Sequence, residues 1–293
     1  MKYGLPYRGS KSKIAEWIIL NLPGAENLYD LFAGGGAITH CALLHNKWKN
    51  IIANDIQGTM LLFQDAINGK YKNEKRWISR EQFSAAKDKD LYIRWIWSFG
   101  NNGNDYLFGK NIEGIKRQAH EYLFAHGYDY TPEKRVSLIR EFKNQALLEG
   151  RFEMQRLESL ESLQRLERLE SLERLQRLER LESLQVFSKD YRDVNIKSNS
   201  VIYCDIPYNQ KEGKKENYYG IEFNSQEFYE WVKSQKVPVY FSSSFCEDKS
   251  FIEISAKHKE SLMNNKNSHG KKIITEKLYW NGIGDKAQQD LFQ

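Results

Sequence analysis

The pattern that most constrains the fold is a strand, a glycine turn and a helix in residues 27–39. The turn holds three consecutive glycines, which let a backbone bend sharply and approach a ligand because no Cβ stands in the way. Residues 51–55 follow as a second apolar strand that ends in Asp55. In nucleotide-binding βαβ units an acid at this place accepts hydrogen bonds from ribose hydroxyls. The two elements predict an α/β sheet that binds an adenosine-containing cofactor.

A third apolar strand, from Val201, ends in Asp205 and continues into a proline-restricted turn and an aromatic ring at Tyr208. Ligands of open α/β sheets bind at the carboxyl ends of the strands. Asp205 is therefore a candidate site residue, and the alternative is a plain Pro-Tyr turn after a strand.

A turn rich in Gly, Ser and Lys occupies residues 8–13, ahead of a predicted helix. We expect Ser10 or Ser12 to cap that helix. Backbone amides and lysines at a helix start favour a bound anion or carboxylate, although many helices begin this way with nothing bound.

Bulk composition narrows the class of protein. With 293 residues, the chain is long enough for one large domain with an insertion, or for two domains. A net charge of +5 permits a polyanionic partner without requiring one. We expect a cytoplasmic protein, since no apolar run has the length of a membrane span and the first residues do not read as a signal peptide. The three cysteines match no zinc spacing, so no metal is expected.

The motifs together resemble S-adenosylmethionine-dependent methyltransferases that act on exocyclic amines. Residues 32–36 are similar to their Phe-x-Gly-x-Gly motif, and residues 205–208 are similar to their Asp-Pro-Pro-Tyr motif. The order of the motifs is similar to that of the Dam-like adenine-specific DNA methyltransferases. In both, a lysine-bearing N-terminal motif comes first, followed by the glycine turn, a long insert and, late in the chain, the catalytic tetrad, here residues 205–208. The resemblance implies a Rossmann-like sheet with an inserted, mainly helical target-recognition region, S-adenosyl-L-methionine as cofactor and double-stranded DNA as substrate.

The same resemblance assigns roles to individual residues. Asp205 and the backbone carbonyl of Ile206 would accept hydrogen bonds from the adenine amine, Pro207 would restrict the turn, and Tyr208 would stack on the flipped base. Ile206 stands where the family usually has a proline, and we expect activity to be retained because a carbonyl survives that change. The expected cofactor contacts are Tyr7, Lys11, Phe32, Ala33, Gly34, Gly36, Asp55, Asp190, Tyr191 and Asp205.

We expect four segments. Residues 1–65 and 186–293 form the catalytic domain, of which the first part is cofactor-binding, residues 66–155 form the target-recognition insert, and residues 156–185 form a connector. The insert interleaves basic and aromatic residues, but Trp95 and Trp97 are expected in a helical core rather than on a base-stacking surface. The candidate DNA contacts are Arg94, Asn101, Asn102, Lys110, Lys116, Arg117, Lys214 and Lys215.

The connector has a leucine at every third position from Leu157 to Leu184. An α-helix has 3.6 residues per turn, so these leucines wind round it instead of forming one stripe. We interpret the segment as a helical, low-complexity expansion of variable copy number and not as a leucine zipper. Oligomerisation through it is the alternative that we favour less.

Other functions fit the same motifs. The chemistry could act on RNA or on a protein amide, or the chain could be a catalytically weakened DNA-binding relative. The aspartate in the tetrad, its late position and the long insert favour adenine in DNA. We expect a monomer or weak dimer, and the sequence leaves open a restriction endonuclease in the same system.

Overall fold

The computed structural model describes residues 2–7, 9–152, 157–161, 164–175, 178, 181–207, 217–218, 221–260 and 273–284. The chain divides into two compact units. Unit 1 comprises residues 1–4, 10–60 and 180–293, and unit 2 comprises residues 5–9 and 61–179.

Unit 1 is built on a seven-stranded sheet in the described part of the chain. Its strands are β1 (Asn27–Asp30), β2 (Asn50–Asn54), β3 (Leu184–Phe187), β4 (Ser200–Asp205), β7 (Val239–Ser243), β8 (Ile252–Glu260) and β9 (Ile273–Trp280). Two short strands, β5 (Asn217–Tyr218) and β6 (Ile221–Glu222), pair separately and antiparallel.

The strand order is β3-β2-β1-β4-β7-β9-β8. The first five strands in this order are parallel, and β9 is antiparallel to both β7 and β8. The short apolar runs that the sequence shows at β1, β2, β4 and β7 are typical of parallel strands buried on both faces. The predicted Rossmann-like α/β sheet is confirmed.

The two faces of the sheet carry different side chains. On one face, Phe228 and Val232 of helix α9 (Ser225–Ser234) join Ile202 and Phe241 in an apolar core. Because side chains alternate along a strand, Asp205 points to the opposite face, and so do the residues opposite it on neighbouring strands. Chemistry-bearing groups of the central strands therefore collect on the face away from α9.

Helices α1 (Ala15–Asn21) and α2 (Ala37–His45) belong to unit 1. Helix α3 (Thr59–Ile67) begins in unit 1 and continues into unit 2, whose second segment starts at Leu61. The cap predicted for α1 is wrong. Ile14 occupies the N-cap position without a side-chain hydrogen bond. Ser12 Oγ instead accepts from the backbone N–H of Tyr3, and Ser10 Oγ accepts from the N–H of Ser12. The two serines thus fold the turn itself.

Unit 2 is mainly helical, as predicted. Its helices are α4 (Arg80–Ala86), α5 (Leu91–Ile96), α6 (Lys110–Ala125), α7 (Pro132–Leu148) and α8 (Gln164–Leu175). Trp95 and Trp97 are buried, so the expectation that they form core is confirmed.

Helix α8 contains the middle of the leucine repeat. Every leucine of the repeat whose burial is described is at most 8% exposed. A period of three does wind the leucines round α8, but unit 2 covers the helix on all the sides that they occupy. The interpretation as a connector is corrected for α8, which is a packed element of unit 2.

Burial of α8 also brings charged side chains inside unit 2. Arg168 is 3% exposed, and its Nη1 donates to the carbonyls of Ile96 at 2.6 Å and Ser98 at 2.9 Å, at the C-terminal end of α5. Glu170 accepts from Arg135 Nε at 2.7 Å and from the Tyr128 hydroxyl at 2.8 Å. A helix C-terminus is electronegative, so the Arg168 guanidinium serves as its cap.

Candidate active site

The glycine turn between β1 and α2 is held in shape by Asp55. Gly34 and Gly36 have φ angles of 51° and 72°, a backbone conformation that side chains with a Cβ rarely adopt. Asp55 follows β2, and its Oδ2 accepts from the Gly34 N–H at 2.9 Å. Its Oδ1 accepts from the N–H of Gln57, also at 2.9 Å. Burial raises the pKa of Asp55, although these hydrogen bonds oppose the shift.

A cavity of about 320 Å³ opens beside this turn, in unit 1. Phe32 and Tyr191 form part of its wall, with ring centroids 5.0 Å apart. Carboxylates of Asp55, Asp190 and Glu227 also line it. The cavity thus combines aromatic faces with hydrogen-bond acceptors, a combination that suits a nucleoside. Its further lining residues are Leu31, Asn54, Ile56, Lys189, Arg192, Phe223 and Asn224.

Arg192 fixes the orientation of Asp190, an acid in the cavity wall. Its Nε donates to Asp190 Oδ1 and its Nη2 to Asp190 Oδ2, both at 2.8 Å. Its Nη1 lies 3.1 Å from Glu227 Oε2 on α9. The hydrogen bonds from the Arg192 side chain and N–H, together with its charge, lower the pKa of Asp190. Asp190 is therefore an ionised acceptor with a fixed orientation.

Asp205 lies at the end of β4, beside a buried lysine. Lys11 Nζ is 2.6 Å from Asp205 Oδ1 and 3.6 Å from Glu276 Oε1. Lys11 is 4% exposed and the Glu276 side chain 1%, whereas the Asp205 side chain retains 22% exposure. The acid predicted as catalytic is thus the member of this cluster that solvent reaches most.

Asp30 ends β1 on the same face of the sheet. Its Oδ2 accepts from the N–H of Thr39 at 3.1 Å and from its hydroxyl at 2.7 Å, which ties α2 to the strand. Among the described residues, Oδ1 has no hydrogen-bond partner. The pKa of Asp30 is raised to about 7, chiefly by burial and also by the charges of Asp205 and Asp55, while the hydrogen bonds from Thr39 oppose the shift.

The turn after Asp205 is anchored by its isoleucine. The Ile206 side chain is 4% exposed and belongs to the apolar core under α9. Pro207 is half-buried. Tyr208, Lys214 and Lys215 lie outside the described residues, so their roles stay predictions.

The remaining predicted cofactor residues divide between the units. Lys11, Phe32, Ala33, Gly34, Gly36, Asp55, Asp190, Tyr191 and Asp205 lie in unit 1. Tyr7 belongs to unit 2, where its ring lies 5.8 Å from that of Trp95. Its contact with a cofactor stays a prediction.

The DNA contacts predicted in unit 2 differ in exposure. Lys110 and Arg117 are exposed on α6, and Arg117 pairs with Glu121 at 2.8 Å. Asn102 Oδ1 accepts from two backbone N–H groups of its own turn. Arg94 stacks on Trp95.

Two other predicted DNA contacts are buried. Lys116 is 3% exposed and donates to the backbone carbonyl of Ser159, and burial lowers its pKa to about 8. Asn101 is 9% exposed and donates to the carbonyl of Trp95 at 3.0 Å. Both side chains support the unit internally, so we leave them out of the proposed DNA surface.

Three residues of the site were missed at the level of sequence. Asp30 had a usable signal, because it is an acid at the end of an apolar strand. Arg192 is adjacent in sequence to the Asp190-Tyr191 pair. Glu276 had no local signal, since only the pairing of distant strands brings it to Lys11.

Family comparison decides the identity. Residues 7–277 match the family described as D12 class N6 adenine-specific DNA methyltransferase. The chain belongs to this family. It is therefore an S-adenosylmethionine-dependent DNA adenine methyltransferase, as the sequence motifs predicted.

Other comparisons add little to the D12 family assignment. No curated protein matches the chain. Among solved structures, the chain is similar to the "rRNA methyltransferase aviRa from Streptomyces viridochromogenes", with 14% identity over 92% of this chain and 83% of that one and a TM-score of 0.36. We build nothing on a likeness at that level.

The described residues include neither a candidate membrane-spanning helix nor a candidate metal site. No helix among them is long and apolar enough to cross a membrane. No group of His, Cys, Asp and Glu side chains within the described ranges is arranged to hold a metal ion.

Proposed function

We propose that this D12 methyltransferase transfers a methyl group directly to the exocyclic amine of a specific adenine that is flipped out of duplex DNA. The observation that carries the proposal is the position of Asp205 at the end of a central parallel strand, in contact with Lys11 and more exposed than its charged neighbours. In open α/β sheets this edge is where ligands bind.

The cavity in unit 1 fits the adenosyl part of S-adenosylmethionine. Aromatic faces of Phe32 and Tyr191 suit the adenine ring, and Asp190 is an ionised acceptor for its amine. Asp55 retains lone pairs for ribose hydroxyls, because each carboxylate oxygen accepts more than one hydrogen bond. The turn at Gly34 and Gly36 follows Phe32 of the cavity wall directly in the chain and has a left-handed backbone that glycine adopts without strain.

Methyl transfer to the adenine amine requires hydrogen-bond acceptors beside that amine. An adenine amine is a poor nucleophile because its lone pair is delocalised into the ring. Bound S-adenosylmethionine supplies the electrophilic methyl group. Asp205 and the Ile206 carbonyl would accept hydrogen bonds from the N–H groups of the amine, which localises the lone pair, and preorganised acceptors need little rearrangement in the transition state. As the bond from the amine nitrogen to the methyl carbon forms, the bond from that carbon to the cofactor sulfur would break, and the amine would release one proton. The core contacts of Ile206 hold that carbonyl in place although the usual proline is absent.

Access to the amine requires the adenine to leave the base stack. Tyr208 is proposed to stack on the flipped ring. Lys110, Arg117, Arg94 and Asn102 of unit 2, with Lys214 and Lys215, are proposed to contact the duplex, since cations neutralise phosphates and amides read base edges. Tyr7 is proposed as a further cofactor contact.

The test is methyl transfer by the purified full chain to three substrates of the same sequence. Duplex DNA, single-stranded DNA and RNA are each incubated with radiolabelled S-adenosylmethionine, and the nucleosides are separated by mass spectrometry. We expect N6-methyladenine in duplex DNA above all. Transfer mainly to RNA, or cofactor binding without any transfer, would establish one of the alternative functions instead.

The setting of the reaction is also proposed. We place the enzyme in the cytoplasm with its DNA substrate, as a monomer or weak dimer. A restriction endonuclease that cuts the same sequence would be its partner, and methylation of the adenine would protect the DNA from that cleavage. Mapping methylated adenines in DNA from cells that express the chain would give the recognition sequence.

A further inference from the structure

Glu276 is a buried acid without a role in the chemistry above. It lies within β9 and is 0% exposed. A carboxylate is costly to bury unless it is paired and hydrogen-bonded. Lys11, which is itself buried and contacts the proposed catalytic acid, forms an ion pair with Glu276 at 3.6 Å.

The strand register explains how Glu276 reaches this place. Asp205 on β4 is opposite Ser242 on β7, and Ser242 is opposite Leu278 on β9. Residues opposite each other in a sheet share a face, and so do residues two apart in one strand. Glu276 therefore lies on the same face as Asp205, two strands away.

Lys11 closes the gap between the two acids. Strands are spaced by about 4.8 Å, so carboxylates two strands apart do not contact each other directly. The ammonium of Lys11 lies between them, at 2.6 Å from Asp205 and 3.6 Å from Glu276. Lys11 lies in the turn before α1, and the acid on β9 contacts its charged end over the sheet.

Two other described groups lie on the same face of the sheet as Glu276. Tyr203 is buried, and its hydroxyl hydrogen-bonds to Ser242 Oγ at 2.8 Å. Asp30 is a third acid on the same face of the sheet, beside Tyr203 in the register of β1 and β4. The Tyr203 hydroxyl is thus engaged with β7, whereas Asp30, on β1, lies on the other side of β4 from β9.

We propose that Glu276 is a positioning residue for methyl transfer. It holds the Lys11 ammonium against Asp205, and Lys11 in turn fixes the carboxylate that accepts from the adenine amine. The inference rests on the proposed function, because it assigns Glu276 a role in that same reaction.

The first experiment compares Glu276→Gln with Glu253→Gln. Glu253 is a matched control, since it is an acid on the neighbouring strand β8, is exposed, and pairs with Lys277 at 2.8 Å. For Glu276→Gln we expect kcat to fall about tenfold or more while the Kd for S-adenosylmethionine changes less than about threefold. Glu253→Gln should leave both unchanged. An unchanged kcat in Glu276→Gln would overturn the inference.

A double-mutant cycle with Lys11→Met tests whether Glu276 acts through Lys11. If it does, Glu276→Gln changes kcat by less than about twofold once Lys11 is absent, because residues that act as one unit are not additive. Equal effects in both backgrounds would mean that Glu276 is merely structural. Should Glu276→Gln fail to fold, Glu276→Asp decides: a lowered kcat supports the inference, and wild-type kcat overturns it.

Failure of the wider function is a separate result. If the wild-type chain methylates no nucleic acid, the proposed function fails and the positioning role fails with it. If the wild type methylates DNA and Glu276→Gln does so equally well, only the positioning role fails.

Discussion

The two units bury charge in different ways. In unit 1, the acids Asp30, Asp205 and Glu276 share one face of the sheet, and Lys11 is the described ammonium that contacts two of them. In unit 2, Arg168 and Glu170 lie on one helix, and each is matched by groups of the opposite polarity from neighbouring elements.

This difference distinguishes buried charges that serve the reaction, which we call chemical, from buried charges that only stabilise the fold, which we call structural. A buried guanidinium whose N–H groups end on helix carbonyls completes a fold, because it satisfies acceptors that would otherwise be buried alone. Acids that crowd one sheet edge repel each other, and such crowding is typical of sites where a ligand or substrate completes the charge balance. We expect substitutions of Asp205 and Glu276 to change the reaction and substitution of Arg168 to change stability.

The largest expected effect is that of Asp205→Ala. Loss of a preorganised acceptor should lower kcat by about 10²–10³-fold or more. The Kd for S-adenosylmethionine should change far less, since the adenosyl cavity is lined by other residues. Single-turnover methylation and calorimetric cofactor binding measure the two quantities, and wild-type kcat in this variant would refute the assignment of Asp205.

Arg168→Met probes the structural charge of unit 2. The carbonyl of Ile96 loses the Arg168 donor and that of Ser98 keeps only the N–H of Asn101 at 3.3 Å, and a buried unsatisfied group costs about 1–3 kcal/mol. We expect the free energy of unfolding to fall by about 2–4 kcal/mol in denaturant titrations. Arg117→Met, at an exposed site on α6, is the control and should cost less than about 1 kcal/mol.

Asp30→Asn should change how stability depends on pH. The pKa of Asp30 is raised to about 7 in the folded chain, above its unfolded value, so the folded state holds the proton more tightly. The stability that Asp30 contributes is fully present below its unfolded pKa of 3.8 and is lost as the pH rises from there through about 7. The variant should therefore gain about 2–3 kcal/mol relative to wild type between pH 5 and pH 8.

The measurement for Asp30 is a pair of unfolding curves at each pH. Other titrating groups are common to both proteins, so their effect cancels in the difference. A difference that stays constant from pH 5 to pH 8 would show that folding does not raise the pKa of Asp30 into this range.

The smallest effect concerns the cavity wall. Arg192→Ala removes the fork that orients Asp190, and because Arg192 is half-exposed the expected loss is about fivefold in S-adenosylmethionine affinity. Arg192→Lys keeps the positive charge but not the two-pronged contact with Asp190, so its affinity for S-adenosylmethionine should lie between those of the wild type and Arg192→Ala. Equal affinities for all three proteins would mean that Asp190 needs no such support.

Sequence alone predicted much of unit 1. Apolar runs that end in an acid give both the strand and the place of Asp55 and Asp205, because parallel strands deliver their carboxyl ends to one edge. Glu276 could not be found in this way, since its position depends on the register of β9 against β7. The leucine period gave the geometry of α8 but not its burial, because a repeat does not reveal how many sides a helix has covered.

One measurement tests the contrast between the units directly: methyl groups transferred per folded molecule, at saturating DNA and cofactor, for Asp205→Ala and Arg168→Met together. We predict a value near wild type for Arg168→Met and a loss of about 10²–10³-fold for Asp205→Ala. Comparable losses in both variants, or none in Asp205→Ala, would contradict the division between chemical and structural buried charge.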